Sequence, residues 1–229
     1  MGMSTGSQVE EITAAAARER PSRRLARPAA PVIFVDGVLR HEGSWRAWLN
    51  ELRWMDVPAI VAEVPGRGFA TPQTYADTIE RARMMLIERD GLDPDTRVSV
   101  IGFSAGGVGA VAWMRRHPEH VDRVVAVSSP LGGNEIATAA TRVLGRMTPA
   151  WVRGLSQQES LLHDLDPELA QRVTSLVGSQ FDGIVTARSG RDATIAVREL
   201  ADLGVTKQFH PHVQMRVREV RHAAWEALA

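Results

Sequence analysis

The chain has no cysteine. That excludes disulfides, cysteine-ligated zinc and a thiolate nucleophile together. Lysine occurs once, at Lys207, and every other basic residue is arginine. A Schiff-base lysine would have to be that residue, so a covalent intermediate falls more naturally to serine or a carboxylate. An excess of either charge is also missing: 27 basic and 27 acidic residues give zero formal net charge with seven neutral His. Neutrality argues against nucleic-acid binding through a broad basic face, where affinity comes from clustered Lys and Arg. No run of about 18 apolar residues is present, so no stable membrane insertion is expected. The amino terminus lacks the apolar core of about 7–15 residues that marks a secretory signal, and a cytoplasmic location is the expectation.

What is present is the mix of a soluble globular protein, 44% apolar and 24% charged over 229 residues. Residues 1–30 are small, polar and Arg-rich, with five Arg against three Glu, too few for a polybasic anchor. They read as a flexible or helical extension before a single domain over 31–229. Val32-Ile33-Phe34-Val35 begins a series of short buried runs. It recurs at Ala59–Ala62, Val98–Ile101 and Val124–Val127, and more weakly at Val173–Val177 and Val213–Val220. Such runs without alternation fit a parallel sheet. Helical patterns lie between them, at Trp45–Trp54, Thr74–Arg89, Ala105–His117 and Thr194–Leu203. Strand alternating with helix implies βαβ units, a mostly parallel sheet of about six strands and helices on both faces. Residues 131–170 interrupt this rhythm with an irregular helical texture, the pattern of a small cap insertion.

The strongest motif is Gly102-Phe103-Ser104-Ala105-Gly106, a G-x-S-x-G sequence with a buried strand before it and a small-residue helix after it. A sharp strand-to-helix turn strains the serine backbone and lifts its hydroxyl above the sheet. The next amide, on Ala105, is placed to donate to an oxyanion. A phosphate-binding loop is the competing reading of such a turn, but no Lys follows Gly107.

With these residues in view, the chain resembles the α/β-hydrolase superfamily, and within it the small bacterial lipase and esterase branch. The resemblance covers about 31–225. It rests on Val32 to Val38 as first core strand and oxyanion turn, Gly102 to Gly107 as elbow, Ser128 to Gly133 as the turn opening the cap, and Val177 to Val185 as acid loop. It implies a triad in the order Ser, acid, His. Asp182 is then the acid, and His222 the base, read as following the strand Val213–Val220 at the sheet's carboxyl edge. His210 and His212 would precede that strand and lie at the opposite end. His222 would take the proton of Ser104, Asp182 would hold the imidazole, and the amides of Val38 and Ala105 would form the oxyanion hole. Where the family commonly has His-Gly in the oxyanion turn, this chain has Asp36-Gly37. An ionised Asp36 would oppose a developing oxyanion unless paired, with Arg40 or Arg67 as the available cations.

His41, Trp45, Trp151 and Leu155 are candidates to line the substrate cleft, although tryptophans in such positions also serve as helix-packing residues. No cofactor motif and no metal-ligating cluster is visible in the sequence. The expected partner is a small-molecule ester or thioester. Three functions stay open: hydrolysis of a carboxylic ester with a hydrophobic acyl group, thioester cleavage, acyl transfer or cyclisation by the same triad, and a non-catalytic hydrolase-like binding protein.

Overall fold

The computed structural model describes residues 25–38, 43–156, 165–177, 194–200, 202 and 217–229. Six strands form one sheet in the order β2-β1-β3-β4-β5-β6, and every pairing is parallel. They are β1 (Val32–Val35), β2 (Ala59–Ala62), β3 (Val98–Phe103), β4 (Val121–Val127), β5 (Val173–Val177) and β6 (Ala196–Glu199). The helices in chain order are α1 (Arg46–Trp54), α2 (Pro72–Asp90), α3 (Ala105–Arg116), α4 (Glu135–Leu144), α5 (Ala150–Arg153), α6 (Pro167–Ala170) and α7 (Arg218–Leu228). Residues of β1 and β3 are buried along their whole length, as continuous apolar strands covered on both faces require.

Two cores flank the sheet. Ile33, Val35, Val98 and Val100 point to one side, where α2 and α3 cover them with Tyr75, Ile79, Leu86 and Trp113. Val32, Phe34, Ile101 and Phe103 point to the other, where α1 and α7 contribute Trp48, Leu52, Ala224 and Trp225. The period-two alternation along each strand produces this division. Residues 25–30 are tied to the second side. Leu25 and Ala26 pack on its core, Arg27 donates to the carbonyls of Met55 and Asp56, and Ala29 N donates to Leu228 O at 2.9 Å.

The sheet register defines where a site can form. Val35 pairs with Gly102, Phe103 with Val127, Val127 with Leu176, and Val177 with Glu199. Continuing each pairing by one or two residues puts Gly37, Ser104, Ser128, Val177 and Glu199 in a single row at the carboxyl edge. In open α/β sheets ligands bind beyond that edge. The stretch between β4 and β5 carries α4, a 3₁₀ turn at Gly145–Met147, α5 and α6, in the region where the sequence suggests an insertion.

Two sequence expectations are corrected. The sixth strand is Ala196–Glu199, inside the segment Thr194–Leu203 read as a helix. The residues alternate, with Ile195 and Val197 on the first core and Leu200 on the second. On a half-exposed edge strand the polar residues Arg198 and Glu199 make that alternation resemble one face of a helix. The proposed strand Val213–Val220 is also corrected: residues 218–220 are the first turn of α7, and 213–216 lie outside the described residues.

Candidate active site

Ser104 links β3 to α3. Its φ of 53° and ψ of −122° place a non-glycine residue in a strained backbone region, stabilised only where the surroundings enforce it. The enforcement is visible on three sides. Ser104 N donates to Val127 O at 2.9 Å, which pins the turn to the neighbouring strand. A Cβ on Gly102 would lie 2.5 Å from the backbone of Gly106 and Gly107, so the incoming strand can touch the outgoing helix only through glycine. A Cβ on Gly106 would strike the carbonyl of Val35, so glycine also lets α3 approach β1.

The oxyanion turn expected at Asp36-Gly37-Val38 packs directly on this serine. A Cβ on Gly37 would fall 2.7 Å from Ser104 Cβ and 3.3 Å from Ser104 Oγ. Val38 is the next residue and is half-buried against the first core. Ala105 is the first residue of α3, where backbone N–H groups have no intrahelical acceptor and the helix dipole favours negative charge. The turn after β2, Pro65–Gly68, closes against the same place, because a Cβ on Gly68 would collide with Gly37 O. Tyr75 of α2 fastens this turn by donating its hydroxyl to Gly68 O at 2.9 Å.

Asp36 is 4% exposed and is partnered. Burial pushes the Tyr75 hydroxyl well above the usual tyrosine range, and the nearby Asp36 carboxylate pushes the same way. Tyr75 therefore stays a protonated donor, and the Asp36 side chain sits beside the turn where the sequence places it. Arg67, one cation considered for it, is exposed, and Arg40 lies outside the described residues.

The cleft candidates separate. Trp151 of α5 meets Phe69 edge-on, with ring centroids 5.1 Å apart. This contact joins α5 to the end of the Pro65–Gly68 turn, which packs on Gly37. Phe69 is a residue the sequence reading missed, because nothing local announces that long-range pairing. Leu155 packs on the first core and its carbonyl accepts from Asn134 N at 2.6 Å. Trp45 is corrected: at 4% exposure its ring lies tilted against Phe34 at 4.7 Å and edge-on to Trp48 at 5.5 Å, so it fills the second core. His41 and Asp182 lie outside the described residues, as do His210 and His212.

His222 is on the second turn of α7, not after a strand. It lies six residues before Leu228, whose carbonyl accepts from Ala29 at the amino edge, so it stands about 9 Å up the helix from there. The Ser104 row lies about 16 Å beyond Val32 along the strands. Arg218 Nε donates to His222 Nε2 at 3.2 Å. The nitrogen that a general base would offer is thus already an acceptor. Burial lowers the His222 pKa from its usual value, and Arg218 lowers it further. Its other charged neighbours are Glu51, Arg221 and Glu219, on α1 and α7. The position expected at the carboxyl edge is therefore replaced by one on the outer face of the second core.

Known proteins bear on this geometry in three ways. A family model described as the alpha/beta hydrolase fold matches residues 30–173. Solved structures share the fold at low identity. A monoacylglycerol lipase from Paleococcus ferrophilus is 18% identical with a TM-score of 0.55, over 87% of this chain and 95% of that one. The metagenome-derived lipolytic enzymes LipS and LipT are represented at 15% identity and a TM-score of 0.58, over 88% and 91%. Est1E from Butyrivibrio proteoclasticus is 13% identical with a TM-score of 0.55, over 88% and 89%. At such identities the likeness concerns the fold alone. A homoserine O-acetyltransferase from Haloarcula marismortui is 38% identical over 58 residues, which span 25% of this chain and 14% of that protein.

Proposed function

We propose, from the premise that the chain belongs to the alpha/beta hydrolase fold family, that it is a serine hydrolase acting on a carboxylic ester with a hydrophobic acyl group. The observation that carries this reading is the strained Ser104 backbone, held at the strand-to-helix turn with Gly37 packed against its side chain. In this mechanism Ser104 Oγ attacks the acyl carbon and the amides of Val38 and Ala105 stabilise the oxyanion. The alcohol departs with a proton from the base, and water then releases the acid from the acyl-enzyme. Phe69 and Trp151 form an apolar wall suited to an acyl chain.

Asp182 is the proposed acid, since it follows β5, whose last residue stands in the Ser104 row. The base is proposed to come from the stretch after β6, which begins in that same row, making His210 and His212 the candidates. His222 enters only as the competing outcome. Thioester cleavage or acyl transfer is the second reading, supported by the short stretch similar to an O-acetyltransferase.

The test is fluorophosphonate labelling of wild type, Ser104→Ala, and each His→Ala variant at 210, 212 and 222. Ser104→Ala should lose labelling entirely, and labelling that persists in this folded variant refutes the serine mechanism. One of His210→Ala or His212→Ala should fall by about 10⁴ in turnover of p-nitrophenyl esters, as for triad members generally. A comparable loss in His222→Ala instead would return the base to α7. Acyl thioesters run beside the esters separate the two substrate readings.

A further inference from the structure

A cleft of about 820 Å³ opens where α5 meets the scaffold helices α2 and α3. We propose that it binds a phosphate-bearing small molecule of the diphosphate class, gripped by Arg115, Arg116 and Arg153. Among the described residues, these three arginines line the cleft and no acidic residue does. Arg115 and Arg116 end α3, and Arg153 ends α5.

A cation at a helix carboxyl end offsets the helix dipole, which explains why each arginine stands at a helix end. It does not explain why two helix ends converge, so that like charges share one concave surface in a chain of zero net charge. Such crowding favours the entry of an anion even though Arg115 already has a partner. Arg116 is partly balanced by Asp77 outside the lining, at 2.6 Å. The guanidinium of Arg153 has no partner among the described residues. The planar fork of arginine matches phosphate oxygens two at a time. Ala112 and Ala150 leave space between the cations, and Thr71 and Gln73 add a neutral polar rim. The volume falls within the usual range for small-molecule sites, about 300–1,000 Å³.

The cleft is separate from the elbow. Ala112 lies seven residues beyond Ala105, about 10 Å along α3. It nevertheless shares α5 with the catalytic side, since Trp151 faces Phe69 while Arg153 lines the anion cleft. A ligand here would tie the inserted helix to the scaffold. Coenzyme A carries a diphosphate, so an acyl thioester of that class would join the two sites. That link rests on the acyl-transfer reading above, whereas the anion site does not.

Calorimetric titration of the Ser104→Ala protein with sodium pyrophosphate, and separately with coenzyme A, tests both parts without turnover. Pyrophosphate should bind at one site, more weakly as salt rises. Arg153→Glu and Arg115→Glu should each weaken it about tenfold or more, the factor expected for one lost charge-assisted contact. If a charge reversal disturbs folding, as judged by melting, Arg153→Gln and Arg115→Gln should still weaken binding severalfold. Absence of saturable binding at about 1 mM pyrophosphate, or equal affinity in all folded variants, overturns the site. Coenzyme A should compete with pyrophosphate, and coenzyme A that binds without competing overturns the link to acyl thioesters.

Discussion

The two faces of the sheet are held by different means. On the first face, α2 and α3 approach each other and the sheet through missing side chains. A Cβ on Gly109 would collide with Tyr75, and one on Gly107 with Ser129. On the second face, α1 and α7 are held apart by large rings. Phe34, Trp45, Trp48 and Trp225 form one cluster, with Trp48 and Trp225 5.2 Å apart and nearly perpendicular. A single carboxylate, Glu51, accepts from Arg221 Nε at 2.9 Å and Trp225 Nε1 at 2.8 Å, and so ties the two helices of that face together. Close backbone approach positions Ser104, while ring volume supplies stability. The first face should therefore be sensitive in activity, and the second in melting temperature.

The sharpest way to break this contrast is one added methyl group. In Gly37→Ala the new carbon would sit 2.7 Å from Ser104 Cβ and 2.9 Å from Phe103 O. Neither neighbour is the far end of a flexible chain, so the oxyanion turn or the elbow has to move. Displacing one oxyanion donor costs about 10²–10³ in rate. Fluorophosphonate labelling of Gly37→Ala should slow by that order while the protein still folds, with overpacking costing about 1–3 kcal/mol. Labelling at the wild-type rate would show that the turn is not in the hole.

The second face should respond the other way. Trp225→Ala deletes a fully buried ring and leaves Glu51 short of one donor. A loss of about 3–5 kcal/mol is expected for such a truncation, read as a lower midpoint in urea. Below its midpoint temperature the variant should label at Ser104 nearly as fast as wild type. A proportional fall in labelling of the folded fraction would mean that the faces are coupled through the sheet.

The same contrast explains what the sequence disclosed. The elbow was legible because its determinants are local: Gly102, Ser104 and Gly106 lie within five residues, between an apolar strand and a small-residue helix. Strands β1 to β5 were legible for the same reason, as runs of buried β-branched residues. The edge strand β6 was not, since the half-buried Arg198 and Glu199 fall on its two faces and dilute the apolar pattern. Trp45 was assigned to the cleft because burial in a cluster from α1, α7 and β1 has no local signature. His222 was placed at the carboxyl edge through a strand that is partly the start of α7. The contact of Phe69 with Trp151, and the cleft that Arg115 and Arg153 both line, depend on chain segments brought together only by the fold.

The smallest effect concerns His222, and it tests the assignment of that residue to the second face. Its pKa is lowered first by burial, then by Arg218 and Arg221, with Glu51 and Glu219 opposing. The folded protein thus favours the neutral ring more than the unfolded chain does, whose histidines titrate near 6.5. Stability from this group is complete above that value and is lost as pH falls through the lower folded pKa. Wild type should therefore lose midpoint stability as pH falls below about 6.5 more steeply than His222→Gln, which cannot titrate. An NMR titration of the ring should give a pKa below the usual histidine value. A raised pKa would mean that a carboxylate faces the ring more closely than either arginine, as an Asp-paired catalytic histidine requires, and would move His222 from the packed face back toward the triad.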